Sequence, residues 1–152
     1  MKRILVAFFA LALTSNVMAQ AKPVSNVAVQ QKKAYDQVKF TELKHDFGKI
    51  KQSVPVTYDF AFQNVGSTPV VIESATASCG CTTPTWPKTP VAKNKTDKIS
   101  AGFNAATPGT FTKTITVKVA GYDLPVELNI VGEVLSAEEY AKYEGVKGKK
   151  NS

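Results

Sequence analysis

The chain is poor in the residue types on which most enzymatic sites depend. Among its 152 residues are one histidine, one tryptophan and two cysteines. A single histidine gives no Ser-His-Asp arrangement, and neither a phosphate-binding glycine loop nor paired carboxylates around a cleft motif are present. The sequence therefore gives little support to catalysis, and we expect a protein that is not an enzyme.

The chain also lacks the charge pattern of a nucleic-acid-binding protein. Its formal net charge is +7, but the lysines are scattered and no dense basic face carries interleaved aromatic residues. We therefore expect no nucleic-acid partner. The basic surplus is consistent with solubility, or with attraction to anionic lipid, a cell-wall polymer or an acidic partner.

Long apolar runs are missing except at the start of the chain. Met1-Lys2-Arg3 is positive, Ile4 to Leu13 is apolar, and Val17-Met18-Ala19 offers small residues at both ends of a cleavage tripeptide. This order is typical of a secretory signal peptide over residues 1–19, cut near Ala19. A retained membrane anchor is the alternative, but the run is about half the roughly 20 apolar residues that a span needs. We expect a periplasmic or secreted protein with no membrane span in the mature chain.

Residues 20–37 have no clear period and are interpreted as a linker or loosely ordered arm. Residues 38–134 alternate strictly between apolar and polar side chains, which is typical of strands with one buried face. No helical stripe interrupts this region. The pattern predicts an all-β fold, an immunoglobulin-like two-sheet antiparallel β-sandwich of about seven strands, with a short C-terminal helix. Lys113 is the one charge on the apolar side of its strand.

Residues 135–152 are predicted to form a short helix and a basic tail. Ser136 and Glu139 have the spacing of a capping box, in which each side chain bonds the other residue's backbone N–H. The helix is expected over Ala137 to Glu144, with Gly145 as its stop.

The two cysteines, Cys79 and Cys81, flank Gly80 and allow three chemical states. They can close a small, strained disulfide suited to thiol exchange, since Gly80 permits the chain to bend. They can bind a soft metal, copper or zinc, with His45 as a further ligand. They can also be two small hydrophobic residues beside a turn. Nearby, Trp86 either packs on the core or serves as a recognition anchor.

Several segments together resemble a family of secreted bacterial proteins, Domain of Unknown Function 1573. They are HDFGKI (45–50), the segment 56–105 that contains SATASCGCTTPTW, GTFTKTITV (109–117) and LNIVGEV (128–134). The family's usual proline-glycine after the tryptophan loop is replaced here by Ala92-Lys93-Asn94-Lys95. The positions that match the family's motifs are His45, Asp46, Phe47, Gly48, Cys79, Gly80, Cys81, Thr82 and Trp86.

The resemblance implies an immunoglobulin-like sandwich, similar to the domains of pilus chaperones and cilia-associated proteins. It therefore implies a binding or scaffold module of unknown partner, a protein or another envelope component, with Thr82 and Trp86 in a binding loop. The alternative is a thiol-disulfide or copper-binding module acting through Cys79-Gly80-Cys81.

Overall fold

The structure is a computed structural model that describes residues 33–150, with side chains described as far as residue 146. The predicted signal peptide and residues 20–32 of the predicted linker lie outside these residues. The described part contains eight strands, which are β1 (Val38–Phe40), β2 (Lys44–Lys51), β3 (Val56–Asn64), β4 (Ile72–Ala77), β5 (Thr82–Thr85), β6 (Thr96–Phe103), β7 (Gly109–Val119) and β8 (Val126–Leu135), and a helix, α1 (Ala137–Lys150).

The strands form two four-stranded sheets, with the orders β1-β3-β6-β5 and β2-β8-β7-β4. Their facing sides enclose one core, so the predicted immunoglobulin-like sandwich is confirmed. One pairing differs from the expected antiparallel sheets, because β2 runs parallel to β8, with His45 opposite Ile130. Alternation identifies the buried face of a strand but gives neither its partner nor its direction. The second sheet is therefore mixed.

The core follows the alternation of the sequence. Phe60 and Phe62 of β3, Ile99 of β6, and Leu128 and Ile130 of β8 are fully buried. Phe60 and Phe62 are separated by Ala61, and Leu128 and Ile130 by Asn129, since successive side chains of a strand point to opposite faces.

The end of the predicted linker belongs to the packed structure. Ala34 to Asp36 form one turn of 3-10 helix, and Ala34 is fully buried. Lys33 forms a parallel bridge with Leu124. Residues 33–37 therefore cover one end of the sandwich.

A network of buried amides holds that end together. The fully buried Asn64 donates from Nδ2 to the carbonyls of Thr68 (2.8 Å) and Val91 (2.9 Å), and its Oδ1 accepts from the N–H of Gly66 (3.0 Å). Gln37 donates to the same Thr68 carbonyl at 2.7 Å and accepts from the Tyr122 hydroxyl. Each polar atom thus finds a partner, as burial requires.

Two tight backbone bends depend on positive φ angles. Gly48 has φ +64° within β2, where its N–H bonds to the Asp46 carboxylate at 2.7 Å and the register with β8 shifts. The HDFG segment is therefore a bulged strand. In the loop that replaces the family's proline-glycine, Lys95 N–H bonds to the Ala92 carbonyl at 3.0 Å, and Asn94 has φ +63°. Asparagine tolerates this left-handed conformation, so it substitutes for glycine in the turn.

The C-terminal helix begins as predicted and ends later than predicted. Ser136 and Glu139 form the expected capping box, with the Ser136 hydroxyl 2.7 Å from the Glu139 carboxylate. The stop at Gly145 is wrong, because α1 continues to Lys150. A glycine inside a helix costs only about 1 kcal/mol relative to alanine, so it does not force an end. In the described part of the chain, no helix is long and apolar enough to cross a membrane.

Candidate functional site

The cysteine segment links the two sheets at one edge of the sandwich, between β4 and β5. Cys79 and Cys81 form a disulfide, with their Cα atoms 5.3 Å apart. Gly80 lies at the tip of the turn, where the Thr82 N–H bonds to the Cys79 carbonyl at 3.3 Å. Both cysteines are half-buried. The turn at Gly80 therefore brings the two cysteines closer than the spacing of a regular strand, and both remain partly open to solvent.

One of the two sulfurs has a hydroxyl partner. Thr82, the first residue of β5, is buried, and its Oγ1 lies 3.7 Å from the Cys79 Sγ. A disulfide sulfur carries no hydrogen, so the threonine hydroxyl is the donor. Thr82 is thus placed to stabilise negative charge on Cys79 whenever the disulfide opens.

Cys81, the other half of the disulfide, lies beside a cavity of about 250 Å³ between the two sheets. Cys81 and Phe103 line it from one sheet, and Phe111 and Lys113 line it from the other. The two phenylalanine rings stack with centroids 4.2 Å apart. The lining of the cavity therefore combines two apolar rings, a disulfide cysteine and the lysine that interrupts the apolar face of β7.

A second hollow, of about 220 Å³, reaches the same cysteine from outside the sheet. It is lined by Cys81, Gly80, Val56 and Gly102, among others. Gly102 has no side chain to cover this approach. Cys81 therefore lies between two hollows, and Cys79 lines neither of them.

Trp86 follows β5 and packs against the core. The ammonium group of Lys88 lies 3.2 Å from the centroid of its ring, a cation–π arrangement. Trp86 is half-buried, so it contributes to packing and stays partly open to solvent, at the end of β5 away from the disulfide turn.

His45 does not lie with the cysteines. It is on β2, and the cysteines follow β4, which forms the opposite edge of the same sheet. The ladders place His45 opposite Ile130, and Ile130 opposite Lys113. Three strand spacings, roughly 14 Å, therefore separate His45 from the cysteine segment. Among residues 33–150, no three His, Cys, Asp or Glu side chains are grouped closely enough to hold a metal ion.

The histidine is instead part of an aromatic cluster between the sheets. Its ring stacks on Tyr58 with centroids 3.5 Å apart and meets Phe47 edge-on at 4.7 Å. Its Nδ1 lies 3.5 Å from the carboxylate of Glu42. The hydrogen bond from Tyr58 to the same carboxylate raises the pKa of Tyr58 above its usual value, and partial burial and the charges of Glu42 and Asp59 raise it further.

In the part of the chain that the structure describes, three of the four sheet edges carry features that hinder the addition of another strand. β1 has only three residues, and β5 contains Pro84. β2 presents exposed Lys44, Lys49 and Lys51 and is bulged at Gly48. Short length, proline, lysine and bulges are the usual protections of an edge.

The fourth edge, β4, is less protected. Its irregularity lies at its start, between Ile72 and Ser74, and residues 74–78 carry only serine, alanine and threonine. Ser78 N–H bonds to Thr114 on β7 at 2.9 Å. In an antiparallel ladder such pairs alternate, so the N–H and C=O groups of Ala75 and Ala77 point out from the sheet.

Three features of the structure were not predicted from the sequence pattern alone. Lys113 stands out in the sequence as a charge on an apolar face, but the sequence does not predict the cavity that it lines. Gln37 falls within the predicted linker, and its buried contacts were not expected. The unprotected edge of β4 could have been suspected from a run of five small residues that contains neither lysine nor proline.

Solved structures with a similar fold are distant in sequence. A protein of unknown function from Porphyromonas gingivalis W83 matches with a TM-score of 0.54 and 12% identity, over 64% of this chain and 46% of that one. The VesB protease of Vibrio cholerae matches with a TM-score of 0.53 and 12% identity, over 64% of this chain and 32% of that one. The chain thus spans less than half the length of either protein.

A third structure is covered almost completely. The ASH/PapD-like domain 7 of human CEP192 matches with a TM-score of 0.56 and 11% identity, over 84% of this chain and 99% of that domain. At these identities the likeness concerns the fold alone. No curated protein matches the chain. A family model described as a protein of unknown function, DUF1573, matches residues 38–134, from the start of β1 to the last residue but one of β8. The chain therefore belongs to the DUF1573 family.

Proposed function

We propose that this protein is a non-enzymatic binding module of the bacterial envelope that receives an extended segment of a partner protein along β4. The observation that carries the proposal is the contrast between β4 and the three protected edges. An unprotected edge with outward backbone groups is a template for strand addition, in which main-chain hydrogen bonds provide the affinity.

The side chains along the β4 edge indicate what kind of partner strand it can accept. Ala75 and Ala77 face the core side, and both are small, so a partner strand can approach closely and place apolar side chains beside them. Thr76 is exposed on the other face. The partner is therefore a protein segment of about five residues, with apolar and polar side chains in alternation.

The envelope location is part of the same proposal. Its support is the signal-peptide pattern of residues 1–19, which predicts export to the periplasm or beyond. The absence of a catalytic motif from the sequence supports a binding role. No cofactor is required by this function.

The experiment compares two Thr→Lys variants on one face of one sheet. Thr76→Lys adds a charge to the β4 edge, and Thr112→Lys adds the same charge to β7, which is already paired on both sides. A photoreactive residue at position 76 first links the partner in intact cells. The affinity of the purified partner is then measured for both variants.

We expect Thr76→Lys to weaken binding about tenfold or more and Thr112→Lys to leave it unchanged, because only the edge strand is contacted. Amide hydrogen exchange should slow at Ala75 and Ala77 when the partner is bound, since their N–H groups become donors to it. Equal affinities of the two variants, or unchanged exchange at both alanines, would refute strand addition at β4.

A further inference from the structure

We propose that the Cys79–Cys81 disulfide is a thiol–disulfide exchange site with fixed polarity: an incoming thiolate attacks Cys81, and Cys79 is the leaving sulfur. This inference does not depend on the β4 edge. It arises from the unequal surroundings of the two sulfurs and names a different class of partner, a dithiol.

The first difference between the two cysteines is how easily an incoming thiolate can reach them. Exchange requires the attacking thiolate to approach a disulfide sulfur along the S–S axis, opposite the leaving sulfur. Cys81 lines both the 250 Å³ cavity and the 220 Å³ hollow, and Cys79 lines neither. Space for an incoming sulfur is therefore found at Cys81.

The second difference between the two cysteines is how well each sulfur is stabilised as the leaving thiolate. The Thr82 hydroxyl, 3.7 Å from the Cys79 Sγ, can donate to the thiolate that forms there. Hydrogen bonds to a charged acceptor are stronger than bonds to a neutral one, so this contact strengthens as the S–S bond breaks. Thr82 is buried, which holds its hydroxyl near the sulfur.

The cavity adds a positive charge on the side of attack. Lys113 lines it together with Cys81, and its ammonium group attracts an anionic thiolate and stabilises negative charge near the disulfide. Positive charges next to cysteines are a general feature of reactive thiol sites. The stacked Phe103 and Phe111 rings provide an apolar surface for the carbon chain of the incoming thiol.

The electron balance is that of ordinary exchange. A thiolate of the partner dithiol attacks the Cys81 sulfur, a new S–S bond forms, and the Cys79–Cys81 bond breaks to release the Cys79 thiolate. The second partner thiolate then attacks the partner's own sulfur in the mixed disulfide and releases the Cys81 thiolate. The partner is oxidised to a disulfide by two electrons, and the two cysteines of this protein are reduced and take up two protons.

The test uses the full mature chain with its disulfide intact, and dithiothreitol as the dithiol. The rate of reduction is measured by quenching with acid and counting thiols by intact mass. Two pairs of variants are compared: Thr82→Val with Thr85→Val, an exposed threonine on the same strand that lines neither hollow, and Lys113→Met with Lys118→Met, an exposed lysine on the same strand. These changes keep the shape of the side chain.

We expect Thr82→Val to slow reduction about tenfold, which corresponds to the loss of one hydrogen bond to a charged group. Lys113→Met should slow it several-fold at low salt, with the difference shrinking as ionic strength rises. Neither control should change the rate. Reduction at the same rate in Thr82→Val and Thr85→Val would overturn the role of Cys79 as leaving sulfur.

The position of the adduct tests the polarity directly. Wild-type protein is treated with glutathione, quenched during the reaction, and digested to locate the mixed disulfide. The adduct should lie on Cys81. An adduct on Cys79, or a wild-type disulfide that dithiothreitol reduces only when the chain is unfolded by urea, would refute the proposal. This result is independent of any partner bound at β4.

Discussion

Replacing Asn64 by alanine tests the amide network at the end of the sandwich opposite the disulfide turn. The change removes three hydrogen bonds, two donated to carbonyls and one accepted from Gly66. The carbonyl of Val91 keeps the N–H of Val70 at 2.9 Å, and that of Thr68 keeps the Gln37 amide at 2.7 Å. Only the Gly66 N–H therefore loses the partner described for it.

The expected loss in the free energy of unfolding follows from these hydrogen bonds. Three hydrogen bonds at about 1 kcal/mol each, with roughly 1 kcal/mol more for the N–H left without its acceptor, give a loss of about 3–5 kcal/mol. This is a large part of the roughly 5–15 kcal/mol by which domains are stable. At roughly 4 °C per kcal/mol, the midpoint of thermal unfolding should fall by about 12–20 °C.

Urea unfolding followed by the fluorescence of the single tryptophan measures the change. Asn104→Ala is the matched control, because Asn104 makes the same side-chain bond to the N–H two residues on, at 3.1 Å, but is exposed. Its loss should be less than about 1 kcal/mol. If both variants lose the same stability, burial of the Asn64 amide does not determine the effect and the reasoning is wrong.

Three further predictions concern single side chains. Gly66→Ala should destabilise the protein by roughly 1–3 kcal/mol in calorimetry, because the added Cβ would overlap the Gln37 side chain. The hydrogen bonds from Ser136 lower the pKa of Glu139. The protection of α1 in hydrogen exchange should therefore be lost as the pH falls through that lowered pKa. Glu139→Gln should abolish this pH dependence of the protection. Glu42→Ala should lower the pKa of Tyr58 in an NMR titration of labelled tyrosine, and an unchanged pKa would exclude Glu42 as the main cause.

The strands were predictable because burial in a sandwich repeats every second residue. Phe60 and Phe62 show this most clearly, since both are fully buried and the residues beside them are not. The capping box was predictable for a similar reason, as its two partners, Ser136 and Glu139, lie within one turn of helix. Local spacing carries this information without knowledge of the fold.

Contacts between segments that are far apart in the sequence were not predictable in the same way. The parallel pairing of β2 with β8 joins residues more than 80 positions apart, and nothing in KHDFGKIK specifies it. The separation of His45 from Cys81 follows from that pairing. Gln37 was assigned to a linker because its amide finds its partners, Thr68 and Tyr122, only after the chain has folded.

The candidate site was predictable in part. The sequence singled out Cys79, Cys81, Thr82 and Trp86, and the structure places them in one short segment at a sheet edge. It gave no means of telling the two sulfurs apart. That difference depends on which sulfur the folded chain places near the Thr82 hydroxyl, and on Lys113, which lines the cavity from β7 of the other sheet.

The pairing of β2 with β8 has a consequence for the order in which the chain is completed. Among the described strands, β1, β3, β6 and β5 are complete once Phe103 has been synthesised, whereas β2 pairs with β8 alone and must await Val126–Leu135. During synthesis β2, with its apolar residues Phe47 and Ile50, therefore remains unpaired while most of the domain is made. Long-range closure of this kind slows folding. A chain truncated before β8 would expose two strands at once, β2 and β7, and such fragments should be early targets of chaperones and proteases.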